Sequence, residues 1–387
     1  MHLRHNIIKM YFLKGVLWFM LSMPIIVLFF QEHGLSLTEI MTLQAIYSFT
    51  VALFEIPSGY LADFFGRRTC IILSSIFSFL GYLFFCFYSG FYFFLIAQVL
   101  LGIAGSLISG SDSALIYDTL IQIDKKNAYT KIEGKNYAIG NFSEAIAGIF
   151  GGFLAVTSLY LPVYIQTVVL FLSIPIAFTL VEPKFKKGNR IDRSFKFISD
   201  VVKYALVDSA KLKWLIIFSS AMGLATLSIA WFAQPFFTII NLPLAYFGVI
   251  WALLNFSTGI TSYNSHLFFL SKNYKFLMYI SILMCFSYFA LGLNMSYFVL
   301  IFIFSIYLLR GVMTPFLRNE INVNTTSDKR ATVLSIRSFI IRISFAIFAP
   351  ILGYIAENYS LSFSFYFLSL FVGMFSLLSS YKLIKLD

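Results

Sequence analysis

The stretch that decides the fold reads Gly59-Tyr60-Leu61-Ala62-Asp63-Phe64-Phe65-Gly66-Arg67-Arg68-Thr69. It carries one acid and two bases, and it separates two long apolar runs, 37–62 and 69–89. An apolar run of about 18 residues or more has the length of a membrane-crossing helix, so this charged turn marks where the chain leaves a bilayer and re-enters it. Gly59 and Gly66 permit close helix approach and a tight reversal. Asp63 puts a carboxylate at the C-terminal end of a helix, where it opposes the helix dipole and calls for a cationic or hydrogen-bonding partner.

Outward from this turn the same alternation continues to both ends of the chain. Apolar runs near 7–31, 37–62, 69–89, 91–120, 131–157, 160–181, 211–240, 243–268, 275–294, 297–321, 331–356 and 360–384 give twelve spans. The composition agrees: 59% of the 387 residues are hydrophobic and 12% charged, against about 45–50% and about 25% in a soluble domain, which excludes a soluble globule. Forty-seven Phe exclude disorder, and runs of this length exclude a transmembrane barrel, whose strands alternate over about ten residues. The expected class is an all-α membrane protein. The N-terminal segment, basic at Arg4, Lys9 and Lys14 and then apolar, imitates a signal peptide but has no small-residue cleavage site before Gln31-Glu32-His33-Gly34, so it reads as a retained first span. Cys70, Cys86 and Cys285 are scattered, without metal spacing, and read as apolar fillers.

The net charge of +11 is a topology signal. With the N-terminus in the cytoplasm, the outer turns, from Gln31–Leu37 to Glu357–Ser360, contain no Lys or Arg, whereas the inner segments hold Arg67-Arg68, Lys125-Lys126, the run from Lys184 to Lys203, Lys272, Lys275, Lys329-Arg330, Lys382 and Lys385. This positive-inside pattern puts both termini in the cytoplasm, and bases that flank helices give no reason to expect nucleic acid as a partner. The longest non-apolar stretch follows the sixth span and divides the chain into 1–182, a cytoplasmic linker 183–209, and 210–387. Asp124-Lys125-Lys126 after the fourth span is echoed by Asp328-Lys329-Arg330 after the tenth, which supports an internal duplication.

At this point the turn after the second span becomes specific. It resembles the loop signature of the major facilitator superfamily, G-x-L-a-D-r-x-G-r-r, between the spans where that family carries it. The resemblance implies two pseudo-symmetric six-helix bundles, and it implies that Asp63 and Arg67 belong to a cytoplasmic gate, with Arg337 near the start of the eleventh span as a partner. Phe64 stands where the family has a base, and the second-half counterpart around Ser271-Lys272-Asn273 lacks the acid and the glycines. In the fourth span Gln98 stands where relatives have an Arg four residues before Gly102. In the fifth, Ala147-Gly148-Ile149-Phe150-Gly151-Gly152 is similar to the antiporter motif G-P-x-x-G-G without its proline.

Ionisable groups at membrane depth are costly unless they pair or face a polar cavity, and so mark candidate sites. These are Glu55, beside Pro57; Asp112, in Ser109-Gly110-Ser111-Asp112-Ser113; and Glu144, Arg310 and Arg342, near the middle of the fifth, tenth and eleventh spans. Trp231 and Gln234, three apart on one helix face, and Asn255 could complete a substrate pathway. Lys14, Asp118, Arg318, Glu320 and His266 fall nearer the cytoplasmic ends and read as gate or headgroup contacts.

The expected function is secondary transport of a small organic solute by alternating access. The phosphate loop of an ATP engine is absent, as are a paired-His metal motif and a G-x-S-x-G elbow, so no enzyme activity, cofactor or metal is expected. The energy source is a gradient, either of protons, carried by Glu55, Asp112 or Glu144, whose neutral forms desolvation favours, or of sodium. Efflux of drugs or metabolites suits the aromatic, mixed-charge interior. Uptake or export of a carboxylated metabolite or siderophore suits Arg310 and Arg342, and a non-transporting receptor is a third reading. The richness in Phe, Ile, Tyr, Asn and Lys is that of an AT-rich bacterial genome, which points to the inner membrane, where the chain is expected to act as a monomer.

Overall fold

A computed structural model describes residues 2–183, 195–265, 274–326 and 329–386. All its regular elements are helical: α1 (His5–Leu17), α2 (Ile26–Glu32), α3 (Leu37–Phe65), α4 (Arg67–Phe87), α5 (Phe91–Ile108), α6 (Ser111–Gln122), α7 (Tyr129–Thr157), α8 (Tyr160–Phe178), α9 (Phe195–Lys203), α10 (Ala210–Ile239), α11 (Ala245–Tyr263), α12 (Lys275–Leu293), α13 (Leu300–Val323), α14 (Arg330–Asn358) and α15 (Leu361–Lys385). Among the described residues, ten helical segments are long and apolar enough to cross a membrane. They correspond to every sequence span but the first and the eighth, which map onto α1 with α2 and onto α11.

Two spans are broken where the apolar pattern reads as continuous. The expected helix over 7–31 ends at Leu17, and α2 starts only at Ile26. Between them the Leu21 amide, without a helical partner, donates to Gln166 Oε1 at 2.6 Å in the interior. A buried N–H needs such an acceptor, and a side-chain amide on a neighbouring helix supplies it in place of the helical carbonyl. The fourth span, expected over 91–120, divides at Ser109-Gly110, where Gly110 takes a left-handed φ of +78° and α6 restarts the helix.

The chain forms two compact units. The first comprises Met1–Leu35, Ile46–Gly188 and Leu242–Ala252; the second comprises Ser36–Ala45, Asn189–Asn241 and Leu253–Asp387. In the first, α4 packs on α5 and α8, and α1 on α7 and α8. The rings of Phe29, Phe30, Phe85 and Phe94 form one cluster there. Its segment Leu242–Ala252 is held by a glycine contact: a Cβ on Gly248 would stand 2.0 Å from the Gly148 carbonyl oxygen, so only glycine allows this backbone approach. The antiporter-like glycines of the fifth span therefore serve close packing here. In the second unit α12 packs on α15 and α10 on α14 and α15, with Phe232, Phe236 and Tyr288 around Phe365. There the Thr38 amide donates to Glu357 Oε2 at 3.1 Å.

Candidate functional site

The signature turn is built on a helix start. Gly66 holds a φ of +93° between α3 and α4, and the first amides of α4 have no partners within their own helix. Glu182, just past α8, supplies them: Oε1 accepts from the Arg67 amide at 2.8 Å and Oε2 from the Arg68 amide at 2.7 Å. A Cβ on Gly66 would sit 2.8 Å from that carboxyl carbon and displace it, and the positive φ itself favours glycine. The Arg67 side chain pairs with Asp118 at 2.6 Å, and Arg68 donates to the Phe178 carbonyl at 2.9 Å, where a cation complements the C-terminal end of α8. Arg68 thus braces α8, and Asp118, expected at a gate or headgroup, is the ion-pair partner of the gate candidate Arg67. Asp63 lies in the last turn of α3; its side chain lies outside the described residues, as do Lys184–Arg193, His266, Ser271-Lys272-Asn273 and Asp328. Glu182 escaped the sequence reading because it looks like the first residue of the linker; the available signal was an acid ending a span beside a turn rich in unsatisfied amides.

A second polar group of the first unit surrounds the start of α6. Asp112 Oδ2 meets Lys14 Nζ at 3.1 Å, both side chains being 14% exposed. Asp112 Oδ1 accepts from the Ser113 amide at 2.7 Å, and the Ser113 hydroxyl donates to Glu133. Lys14 Nζ also lies 4.5 Å from the centre of the Trp18 ring. Asp112 thus stands in the first turn of α6, a position that suits an acidic side chain, with Lys14 as its ion-pair partner. Glu55 on α3 and Glu144 on α7 are half-buried, and Gln98 on α5 is buried. The Ser58 hydroxyl donates to the Glu55 carbonyl at 3.0 Å, in the turn that holds Pro57.

The second unit contains a cavity of about 270 Å³. Arg310, Thr314 and Arg318 reach it from α13, and Arg337, Ser338 and Arg342 from α14. The first three are four residues apart and so share one helix face. Arg337 Nε is buried with no hydrogen-bond partner among the described residues, and Arg310 lies 5.9 Å from the centre of the Tyr307 ring. The structure therefore joins Arg310 and Arg342, two candidates from sequence, to Arg337, a gate candidate, and to Arg318, expected at a gate or headgroup. Gln234, buried, and Trp231 and Asn255, half-buried, are on α10 and α11 but do not line this cavity. Glu320 is occupied by the Tyr274 hydroxyl at 2.5 Å. Among the described residues no group of His, Cys, Asp and Glu is arranged to hold a metal.

The model of the Major Facilitator Superfamily matches residues 9–319. The chain belongs to that superfamily. It is a multi-pass membrane protein of a transporter family, and the superfamily fold extends over its whole length. It superposes on the nucleoside transporter NupG with a TM-score of 0.81, 13% identity and 99% coverage of both chains. A bacterial homologue of the human lysosomal transporter Spinster gives 0.74 at 14% identity, over 99% of this chain and 98% of that one. A D-xylose–proton symporter gives 0.72 at 12% identity, over 98% and 97%. In sequence the chain is 26% identical over 243 residues to the uncharacterized MFS-type transporter YxaM of Bacillus subtilis (strain 168), a match that spans 60% of this chain and 59% of that protein.

Proposed function

We propose that this superfamily member is a secondary transporter that moves a small organic solute by alternating access, driven by protons, in the export direction from the cytoplasm. The observation that carries the coupling is the Lys14–Asp112 pair at 3.1 Å. A carboxylate bound to an ammonium in a poorly hydrated layer has two states of different structure: ionised, it holds α1 to the start of α6; protonated, it releases Lys14. Each proton taken up and given back thus alters the contact between two helix segments. Glu133, linked to Asp112 through Ser113, offers the next acceptor. Glu55 and Glu144 are the remaining carboxylates of the pathway, and Trp231, Gln234 and Asn255 its polar lining. Asp63 and Arg67 act at the gate, where Asp63→Asn should lower transport while leaving the amount of folded protein unchanged.

The test is the protein in liposomes with an imposed pH gradient and no membrane potential, read by a pH-sensitive dye inside the vesicles during a solute screen. A transported solute should move protons with it, and Asp112→Asn should abolish proton movement while downhill solute exchange continues. Exchange without any proton movement in the unmodified protein would discard proton coupling and keep the transporter.

A further inference from the structure

We infer that the α13–α14 cavity of the second unit binds a small organic anion carrying at least two negative charges, as carboxylate or phosphate. The inference rests on the transporter reading and names its substrate class. Three observations support it. Among the described residues no carboxylate is within ion-pair distance of Arg310, Arg318 or Arg337, and Glu320, two residues past Arg318, already accepts from Tyr274. Arg318 from α13 and Arg337 from α14 bring two like charges to the same cavity. Arg337 directs a buried Nε–H at no protein acceptor among the described residues.

Cations gathered at membrane depth are stabilised by an anion that spans them. Arg310 and Arg318 lie eight residues apart, about 12 Å along the helix, so the cationic groups form two tiers. Arg318 and Arg337 make one, and Arg310 makes the other. A monoanion satisfies one tier; a solute with acidic groups at both ends satisfies both. The guanidinium fork matches carboxylate and phosphate equally well. Thr314 and Ser338 add neutral donors, while Met222, Met284 and Met313 supply an adaptable apolar wall for a carbon skeleton.

The test is binding to the purified full-length protein in detergent, read by calorimetry and by the shift of the unfolding midpoint. The carboxylate arm is succinate and citrate, the phosphate arm glycerol 3-phosphate and inorganic phosphate, and the neutral arm glycerol and uridine. At least one organic dianion or trianion should bind and raise the midpoint, whereas the neutral compounds should not. Arg318→Gln and Arg337→Gln should each weaken that binding about tenfold to a hundredfold. Arg337→Lys, which keeps the charge and loses the fork, should fall between, and Lys125→Gln, far along the sequence in an exposed turn, should bind as the parent does. Binding of inorganic phosphate alone, equal binding of neutral compounds, no binding in any arm, or anion binding that both Arg→Gln variants retain overturns the assignment. Solute-driven exchange in liposomes reads the transporter separately: a chain that exchanges neutral solutes and ignores every anion loses this inference and keeps the transport function.

Discussion

The two units treat the charges in and beside their spans in opposite ways. In the first, Lys14 meets Asp112 at 3.1 Å, Arg67 meets Asp118 at 2.6 Å, and the Glu182 carboxylate is held by two backbone amides. In the second, Arg310, Arg318 and Arg337 line a cavity without a carboxylate in range among the described residues. A cation with an acidic neighbour contributes to holding helices in place, and removing one member strands the other. A cation that repels its neighbour contributes little or nothing to folding, and its presence calls for a different account, here an anionic solute.

The largest effect expected from this contrast is on the Lys14–Asp112 pair. Asp112→Ala leaves Lys14 among apolar helices and should cost about 3 kcal/mol, seen as a lower unfolding midpoint in detergent; a midpoint within error of the parent would show that the pair is screened by water. The double variant Lys14→Met with Asp112→Leu removes both charges and should recover much of that loss, with a coupling energy of about 1–3 kcal/mol from the double-mutant cycle. Strict additivity would mean that the two side chains do not act on each other. Glu182→Ala should cost about 1–2 kcal/mol, the worth of a charged cap on two helix amides, and Glu182→Gln less, because the amide oxygen still accepts one bond. The smallest effect, and the one that most sharpens the contrast, is Arg337→Gln without solute. Relief of its repulsion with Arg318 should leave the midpoint unchanged or raise it by an amount equivalent to less than about 1 kcal/mol; a clear fall would make Arg337 a structural residue.

How the site was legible follows from the kind of signal each residue gives. Glu55, Asp112, Glu144, Arg310 and Arg342 stand out because a charge inside an apolar run is conspicuous at any position. Their partners do not stand out. Lys14 and Asp112 are far apart in the sequence, and Lys14, near a span end, reads as a gate or headgroup contact. Arg318 reads as a helix-end charge because its distance from the span boundary is visible, while the α13 face it shares with Arg310 and Thr314 becomes decisive only when α14 lies opposite. Glu182 depended on the place of α8 beside the start of α4.

By itself the sequence determined that this is a helical membrane protein with twelve apolar runs and the loop signature of its superfamily, because bilayer thickness sets the length of each apolar run, whatever the run packs against. Tertiary structure alone decided where those runs break and which charges meet. The helix ends at Leu17 although the apolar run continues, and what satisfies the freed Leu21 amide is Gln166, on another helix. The close pass of Gly148 and Gly248 likewise rests on two glycines that look like any others in their spans. Hydropathy is a property of one segment at a time, whereas hydrogen bonds, ion pairs and backbone approaches are properties of pairs, and the pairs exist only after the helices have packed.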